Sequence, residues 1–274
     1  MNPSLQKHIC KNCGNEFVGF YCNQCGEKVI LPEDRSFRTF LNSILLAVTL
    51  ADSRFIKTIW LMIKRPGELS KEFAEGRRIK YLRPLSVFFV LNLVYFLFPV
   101  IQLFNASLRT QINSFHGSLA VQTVATKMTK LGYHDVASFG IVYDQKTAGL
   151  AKMLVIVFAV IVSLPLNLIY RSGNRYFTDH VGLSVELVCF NLLINALFLT
   201  LIVNVFGLGK QLDETVLTAI FITTNFYFLI RSGRIFYNEK IISLIIKSVV
   251  MIAILKISLE IYRAILFYVT INVM

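Results

Sequence analysis

Residues 65–84, RPGELSKEFAEGRRIKYLRP, join a charged part of the chain to its first long apolar segment. After Glu75 the stretch contains no further acid, so the four basic residues that follow are expected to lack counter-charge. These are Arg77, Arg78, Lys80 and Arg83. Lys and Arg beside a membrane span are retained on the cytoplasmic side of the bilayer. The stretch therefore predicts a transmembrane helix that begins at the cytoplasmic face. Its four cations are expected to contact anionic lipid or an acidic partner, and an equal alternative is that they only set the orientation.

The composition supports a membrane protein. Of the 274 residues, 55% are hydrophobic and only 16% are charged, and the mean hydropathy is +0.62. A net charge of +12 in a soluble domain would suggest nucleic acid as a partner. Here the basic residues lie beside apolar segments, so anionic lipid headgroups are the expected counter-charge and nucleic acid is not.

Five apolar segments predict an all-α polytopic fold, with a transmembrane bundle over residues 84–274. The predicted spans are residues 84–104, 148–170, 181–206, 214–230 and 241–262. Pro99 is expected to kink the first span rather than end it. The last apolar run continues to Met274, which is longer than a bilayer requires, so it must tilt, bend or project.

The loop charges predict the orientation of these spans. Arg171 and Arg175 follow the second span, and Arg231, Arg234 and Lys240 follow the fourth. Five spans with a cytoplasmic N-terminus and an exterior C-terminus place both groups inside. Residues 105–147 are then an exterior loop or a small subdomain.

Residues 31–83 precede the bundle and have a different pattern. A short linker is followed by two amphipathic segments, after Ser36 and after Asp52, each too short to span a bilayer. They are predicted to be interfacial helices with Trp60 at the level of the headgroups. Ordinary amphipathic helices packed against the bundle remain an equal alternative.

The first 30 residues contain two CxxC motifs, Cys10–Cys13 and Cys22–Cys25, each closely followed by glycine. Four thiolates at this spacing can form a tetrahedral zinc site, and so short a segment has no other core to fold around. Two disulfides are the alternative, but they need an oxidising compartment. The pattern favours a zinc-ribbon-like head.

Polar residues inside the predicted spans are the next candidates for function. They are Glu186, Asn191, Asn195, Lys247, Lys256 and Glu260. An ion pair between Glu186 and Lys247 would lower the cost of burying either charge. The asparagines are expected to join helices, although they could line a polar cavity. Lys256 and Glu260 share a helix face with Arg263, at the headgroup level or along an ion route.

Catalytic motifs are weak. Asp179-His180 is the one candidate pair, at the start of the third predicted span, and a helix cap explains it equally well. No catalytic residue is assigned, and an enzyme is the less favoured class.

The CxxC motifs, Arg65-Pro66-Gly67, residues 76–84 and Tyr176-Phe-Thr-Asp-His180 together resemble the DUF3667 family of uncharacterised bacterial membrane proteins. The resemblance covers most of the chain in order. It implies an inner-membrane protein with a cytosolic zinc-binding head, and it implies no established activity.

Two functions follow from these patterns. The favoured one is a non-enzymatic adaptor or assembly factor, whose zinc head docks a cytosolic protein at the membrane surface. The alternative is a transporter or lipid-handling protein that uses the polar residues between the spans.

Overall fold

A computed structural model describes residues 7–10, 12–26, 53–77, 80–98, 101, 103–114, 117–171, 175–207 and 214–274. The chain divides into two units, residues 1–53 and residues 54–274. The predicted linker and first amphipathic segment lie outside the described residues, as does Arg78.

The N-terminal unit contains a two-stranded antiparallel sheet. Strand β1 is Lys7–Ile9 and strand β2 is Glu16–Val18, with His8 opposite Phe17. Phe17 is buried together with Cys10 and Cys22. This core is very small, as expected for a segment that relies on a metal ion rather than on apolar burial.

The described part of the second unit is helical. Its helices are α1 (Ser53–Lys64), α2 (Glu68–Ala74), α3 (Pro84–Leu97), α4 (Leu108–Ile112), α5 (Gly117–Leu131), α6 (Val136–Ile169), α7 (Phe177–Phe206), α8 (Glu214–Phe236) and α9 (Ile241–Val273). Within α7, Leu192–Phe198 form a π-helical segment.

Four of these helices are long and apolar enough to cross a membrane: α6, α7, α8 from Thr215, and α9. The two longest, α6 and α9, have 34 and 33 residues. At 1.5 Å per residue each is about 50 Å long, well beyond a hydrocarbon core of about 30 Å. The predicted all-α polytopic fold is therefore confirmed.

Helix α3 is shorter than the predicted first span. It has 14 residues, or about 21 Å of length, and it ends at Leu97. Phe98 is extended, with φ −102° and ψ 144°, because a residue that precedes proline is disfavoured in the helical region. The expectation that Pro99 kinks a continuing helix is wrong, since the helix stops before it.

Side chains of other helices bind the non-helical backbone that follows α3. Thr200 accepts a hydrogen bond from the amide of Ile101 at 2.9 Å, and Arg263 donates to the carbonyl of Leu103 at 3.3 Å. Non-helical backbone at membrane depth is tolerated where protein groups satisfy it in this way. This segment leads to α4.

The start of α6 and the end of α9 pack with α4 and α5 around a second apolar core. It contains Leu108, Ala120, Val124, Met128, Phe139, Tyr143, Phe267 and Ile271. The excess length of the last apolar run is thus used to build this core. The main core lies between α3, α6, α7, α8 and α9.

Candidate functional site

The four cysteines of the two CxxC motifs converge on one point. Their sulfur atoms all lie within 4.8 Å of one another. The Cys10 and Cys25 sulfurs are 3.4 Å apart, and those of Cys13 and Cys22 are 3.6 Å apart. All four are free thiols. The cluster can hold a metal ion, and the two predicted disulfides of the alternative interpretation are not present.

The local backbone explains the convergence. The amides of Gly14 and Gly26 donate to the carbonyls of Cys10 and Cys22, both at 2.9 Å. Both glycines have positive φ, 74° and 78°, a conformation that glycine adopts without a steric penalty. Each CxxC motif is therefore closed into the same tight turn, which directs both of its sulfurs inward.

The same turns alter the acidity of the thiols. The backbone amide of Cys13 and that of Asn12 lower the pKa of Cys10. Burial opposes ionisation of Cys22, but the amides of Cys25 and Gln24 outweigh it and lower that pKa to about 6. Thiolates are the metal-binding form of cysteine, so the turns favour metal binding.

The neighbouring sulfurs oppose the ionisation of one of the four thiols. The Asn15 amide lowers the pKa of Cys13, but partial burial and the three neighbouring sulfurs outweigh it and raise that pKa to about 12. A divalent cation at the centre removes this repulsion and allows all four sulfurs to ionise.

Glu186 is the most deeply buried carboxylate of the described helices, with no exposed surface. One oxygen accepts from the amide of Gly67 at 2.8 Å. The other accepts from the amide of Ser70 at 2.9 Å and from its hydroxyl at 2.5 Å. The carboxylate thus caps the N-terminus of α2, where a negative charge is favoured.

The suggested ion pair between Glu186 and Lys247 is therefore wrong. Lys247 instead pairs with Glu239 at the start of α9. Glu186 is thus bound by the amides of Gly67 and Ser70 and by the Ser70 hydroxyl rather than by a cation.

The turn that Glu186 holds fits tightly against α8. Gly67 has φ 85°, and a Cβ atom there would lie 2.7 Å from the Cα of Ser232. The Tyr227 hydroxyl donates to the carbonyl of Ile63 at 3.0 Å. The Arg65-Pro66-Gly67 motif is thus a docking turn between α1 and α2, and its glycine is required for close approach.

The asparagines of α7 and α8 form one closed network. Asn191 and Asn225 donate to each other's carbonyl oxygens at 2.9 and 3.0 Å. Asn195 donates to Asn191 at 2.8 Å and exchanges hydrogen bonds with Thr224. These amides join helices, as one of the two sequence interpretations expects.

Asp179 and His180 have separate roles. Asp179 accepts a hydrogen bond from the amide of Tyr176 at 3.0 Å and caps α7. His180 is buried, and its Nδ1 lies 2.7 Å from the Tyr237 hydroxyl. Tyr237 in turn stacks on Tyr170 with ring centres 4.1 Å apart. The two side chains therefore bind different partners and are not hydrogen-bonded to each other in the way a catalytic pair would be.

The basic stretch after α2 is partly neutralised. Arg77 pairs with Glu72 at 2.6 Å and with Glu75 at 2.5 Å, which lowers the pKa of both carboxylates. The expectation that this stretch lacks counter-charge is wrong for Arg77. Lys80 and Arg83 are exposed.

Lys152 was missed by the sequence reasoning. Its Nζ donates to the carbonyl of Phe96 at 3.0 Å and lies 5.2 Å from the centre of that ring. A cation stabilises the C-terminus of a helix, here that of α3. The sequence does mark this residue, because Lys152 is a charged residue inside the predicted span 148–170.

The charges late in α9 lie near the second core. Glu260 and Arg263 form an ion pair of 3.0 Å, and Lys256 is exposed. Arg263 also binds the Leu103 carbonyl, so part of this charged face supports the backbone after α3.

A cysteine cluster able to bind a metal and a bundle of span-like helices define a class of polytopic membrane proteins. Within that class, residues 52–96 match the family described as "Protein of unknown function (DUF3667)". The match covers α1, the docking turn, α2 and all but the end of α3, and it confirms the resemblance over those residues. No curated protein and no solved structure matches the chain.

Proposed function

We propose that this protein is a non-enzymatic membrane adaptor or assembly factor. Its N-terminal head binds one zinc ion and docks a cytosolic protein, and its helices hold that head at a bacterial inner membrane with the N-terminus in the cytoplasm.

The observation that carries the proposal is the convergence of four free thiols in a unit of its own. Zn–S bonds of about 2.3 Å in a tetrahedral site place the sulfurs about 3.8 Å apart. The Cys10–Cys25 and Cys13–Cys22 sulfurs, at 3.4 and 3.6 Å, lie slightly closer than this, and all four sulfurs lie within 4.8 Å of one another, so small shifts suffice to accept the ion. A small zinc-ordered unit provides a rigid binding surface from few residues.

Two buried polar clusters of the helices favour this class over a transporter. The Asn191–Asn225 network and the Glu186 carboxylate are bonded within the protein, which is what structural groups require. A transport route needs polar groups that can exchange partners with a substrate.

Lys80 and Arg83 support the orientation. Both are exposed between α2 and α3, and they follow the docking turn that Glu186 fixes. We assign them to the cytoplasmic surface, where anionic headgroups or an acidic segment of the partner bind them.

The test is metal-dependent capture of a partner. The tagged full chain is purified in mild detergent beside the double variant Cys10→Ser/Cys22→Ser and the control Cys189→Ser, which removes a buried thiol of the helical unit. A protein retained in stoichiometric amount by wild type and control, and lost with the double variant, supports the adaptor function. Identical retention by all three chains would overturn it.

A further inference from the structure

The junction of α1 with α8 presents basic and aromatic side chains on an exposed surface. On α1, Lys57, Trp60 and Lys64 are exposed at spacings of three and four residues, which places them on one stripe of the helix. Trp60 is 63% exposed. A stripe that alternates cations with a large indole is unsuited to the protein interior and is typical of the bilayer interface.

Helix α8 adds to this stripe. The Tyr227 hydroxyl contacts the carbonyls of Ile63 and Lys64, at 3.0 and 3.4 Å, so the two helices meet at the end of α1. Arg231 lies one helical turn beyond Tyr227 and is exposed. Residues four apart share a helix face, so Arg231 lies on the face of α8 that contacts the end of α1.

The docking turn fixes this arrangement. Gly67 lies against Ser232, the neighbour of Arg231, and the Glu186 carboxylate holds Gly67 from the other side. The three cations are thus carried by two helices whose relative position is set by buried contacts.

The charge of the surface is not balanced within the described residues. The ion pairs there involve Arg65, Arg77, Arg175, Lys247 and Arg263, and none includes Lys57, Lys64 or Arg231. The exposed side chains of Ile56 and Trp60 lie on the same helix at 66% and 63% exposure. An occupant must therefore supply negative charge and an apolar part together.

We propose that Lys57, Trp60, Lys64 and Arg231 form a binding site for the phosphate headgroup of an anionic phospholipid. The cations bind the phosphate, and the indole packs against the upper acyl chain at the headgroup level. The site does not depend on the zinc head, and it differs from the surface at Lys80 and Arg83.

The single tryptophan of the chain reports on the site directly, because Trp60 is that residue. The full chain is reconstituted in phosphatidylcholine vesicles that contain a small fraction of phosphatidylglycerol brominated on its acyl chains, or the same fraction of brominated phosphatidylcholine. Bromine quenches indole fluorescence on contact. We expect the anionic lipid to quench Trp60 more strongly than the zwitterionic lipid does.

The variant Lys57→Gln/Lys64→Gln/Arg231→Gln removes the three cations. Each basic side chain near an anionic lipid surface changes binding roughly five-fold, so the loss of all three should lower the preference for phosphatidylglycerol by up to about a hundred-fold. The matched control Lys130→Gln/Arg171→Gln/Lys240→Gln removes the same charge from exposed positions outside α1 and α8 and should keep the preference.

Three results would overturn the proposal. These are equal quenching by the two lipids, a preference retained by the first triple variant, and a preference lost equally in the control, which indicates general surface charge. A further arm adds inorganic phosphate at constant ionic strength. Restored Trp60 fluorescence at a phosphate concentration no higher than that of the phosphatidylglycerol would also contradict the proposal, because the cations would then bind a free anion as well as they bind the lipid.

Discussion

Replacing Glu186 with alanine is expected to detach the docking turn from the bundle. The substitution removes the acceptor of three hydrogen bonds, from the Gly67 amide and from the amide and hydroxyl of Ser70. Each donor is buried, and a buried donor left without a partner costs about 1–3 kcal/mol. The loss of a negative charge at the N-terminus of α2 adds up to about 1 kcal/mol.

Partial relaxation of the turn reduces this sum, so we expect a loss of about 3–5 kcal/mol. For a protein of this size that corresponds to a fall of roughly 6–20 °C in the unfolding midpoint. The assay is thermal unfolding of the purified full chain in detergent. Trp60 fluorescence follows α1 separately, because it is the only tryptophan.

Two variants make the result specific. Glu186→Gln keeps one acceptor oxygen, but its NH₂ group faces backbone donors of the turn. Its unfolding midpoint should therefore lie between those of wild type and Glu186→Ala. Glu260→Gln removes a partly exposed ion pair and should cost less than about 1 kcal/mol. A midpoint for Glu186→Ala within 2 °C of wild type would refute the reasoning.

Three further predictions concern other contacts. Gly67→Ala should lower the free energy of unfolding by more than about 2 kcal/mol, because the new Cβ meets Ser232. The control Gly76→Ala has φ 82° but open space around it and should lower it by about 1 kcal/mol. Unfolding midpoints compare the two variants. Asn225→Ala should cost about 1–2 kcal/mol in the same assay, since each hydrogen bond between membrane helices contributes about 0.6 kcal/mol or more. Arg77 lowers the pKa of Glu72. The small stabilisation from this ion pair is complete above the ordinary carboxyl pKa and is lost as the pH falls through the lowered pKa. The unfolding midpoints of Arg77→Gln and wild type should therefore converge in acid.

Features that depend on local spacing could be predicted from the sequence. The CxxC motifs indicated a four-thiol cluster because two residues between cysteines set the reach of the two sulfurs. The long apolar runs indicated α6, α7, α8 and α9 because a span needs about 20 such residues. Both depend on neighbours in the chain, and both were confirmed.

The role of Glu186 could not be predicted in the same way. Its partners are backbone donors more than 100 residues away, and every residue carries such groups, so the sequence does not mark them. A charged residue such as Lys247 is visible in the sequence, which is why the wrong pair was suggested. The end of α3 at Leu97 was not predicted for a different reason. The apolar run continues past Pro99, but a residue before proline is disfavoured in the helical region, so the helix ends before Phe98.

The zinc content of the purified full chain is the most direct test of the central claim. Elemental analysis should give one zinc ion per chain for wild type and for Cys189→Ser, and close to none for Cys10→Ser/Cys22→Ser. A wild-type chain purified without chelator that carries no zinc, or a double variant that retains it, would contradict the zinc-binding head.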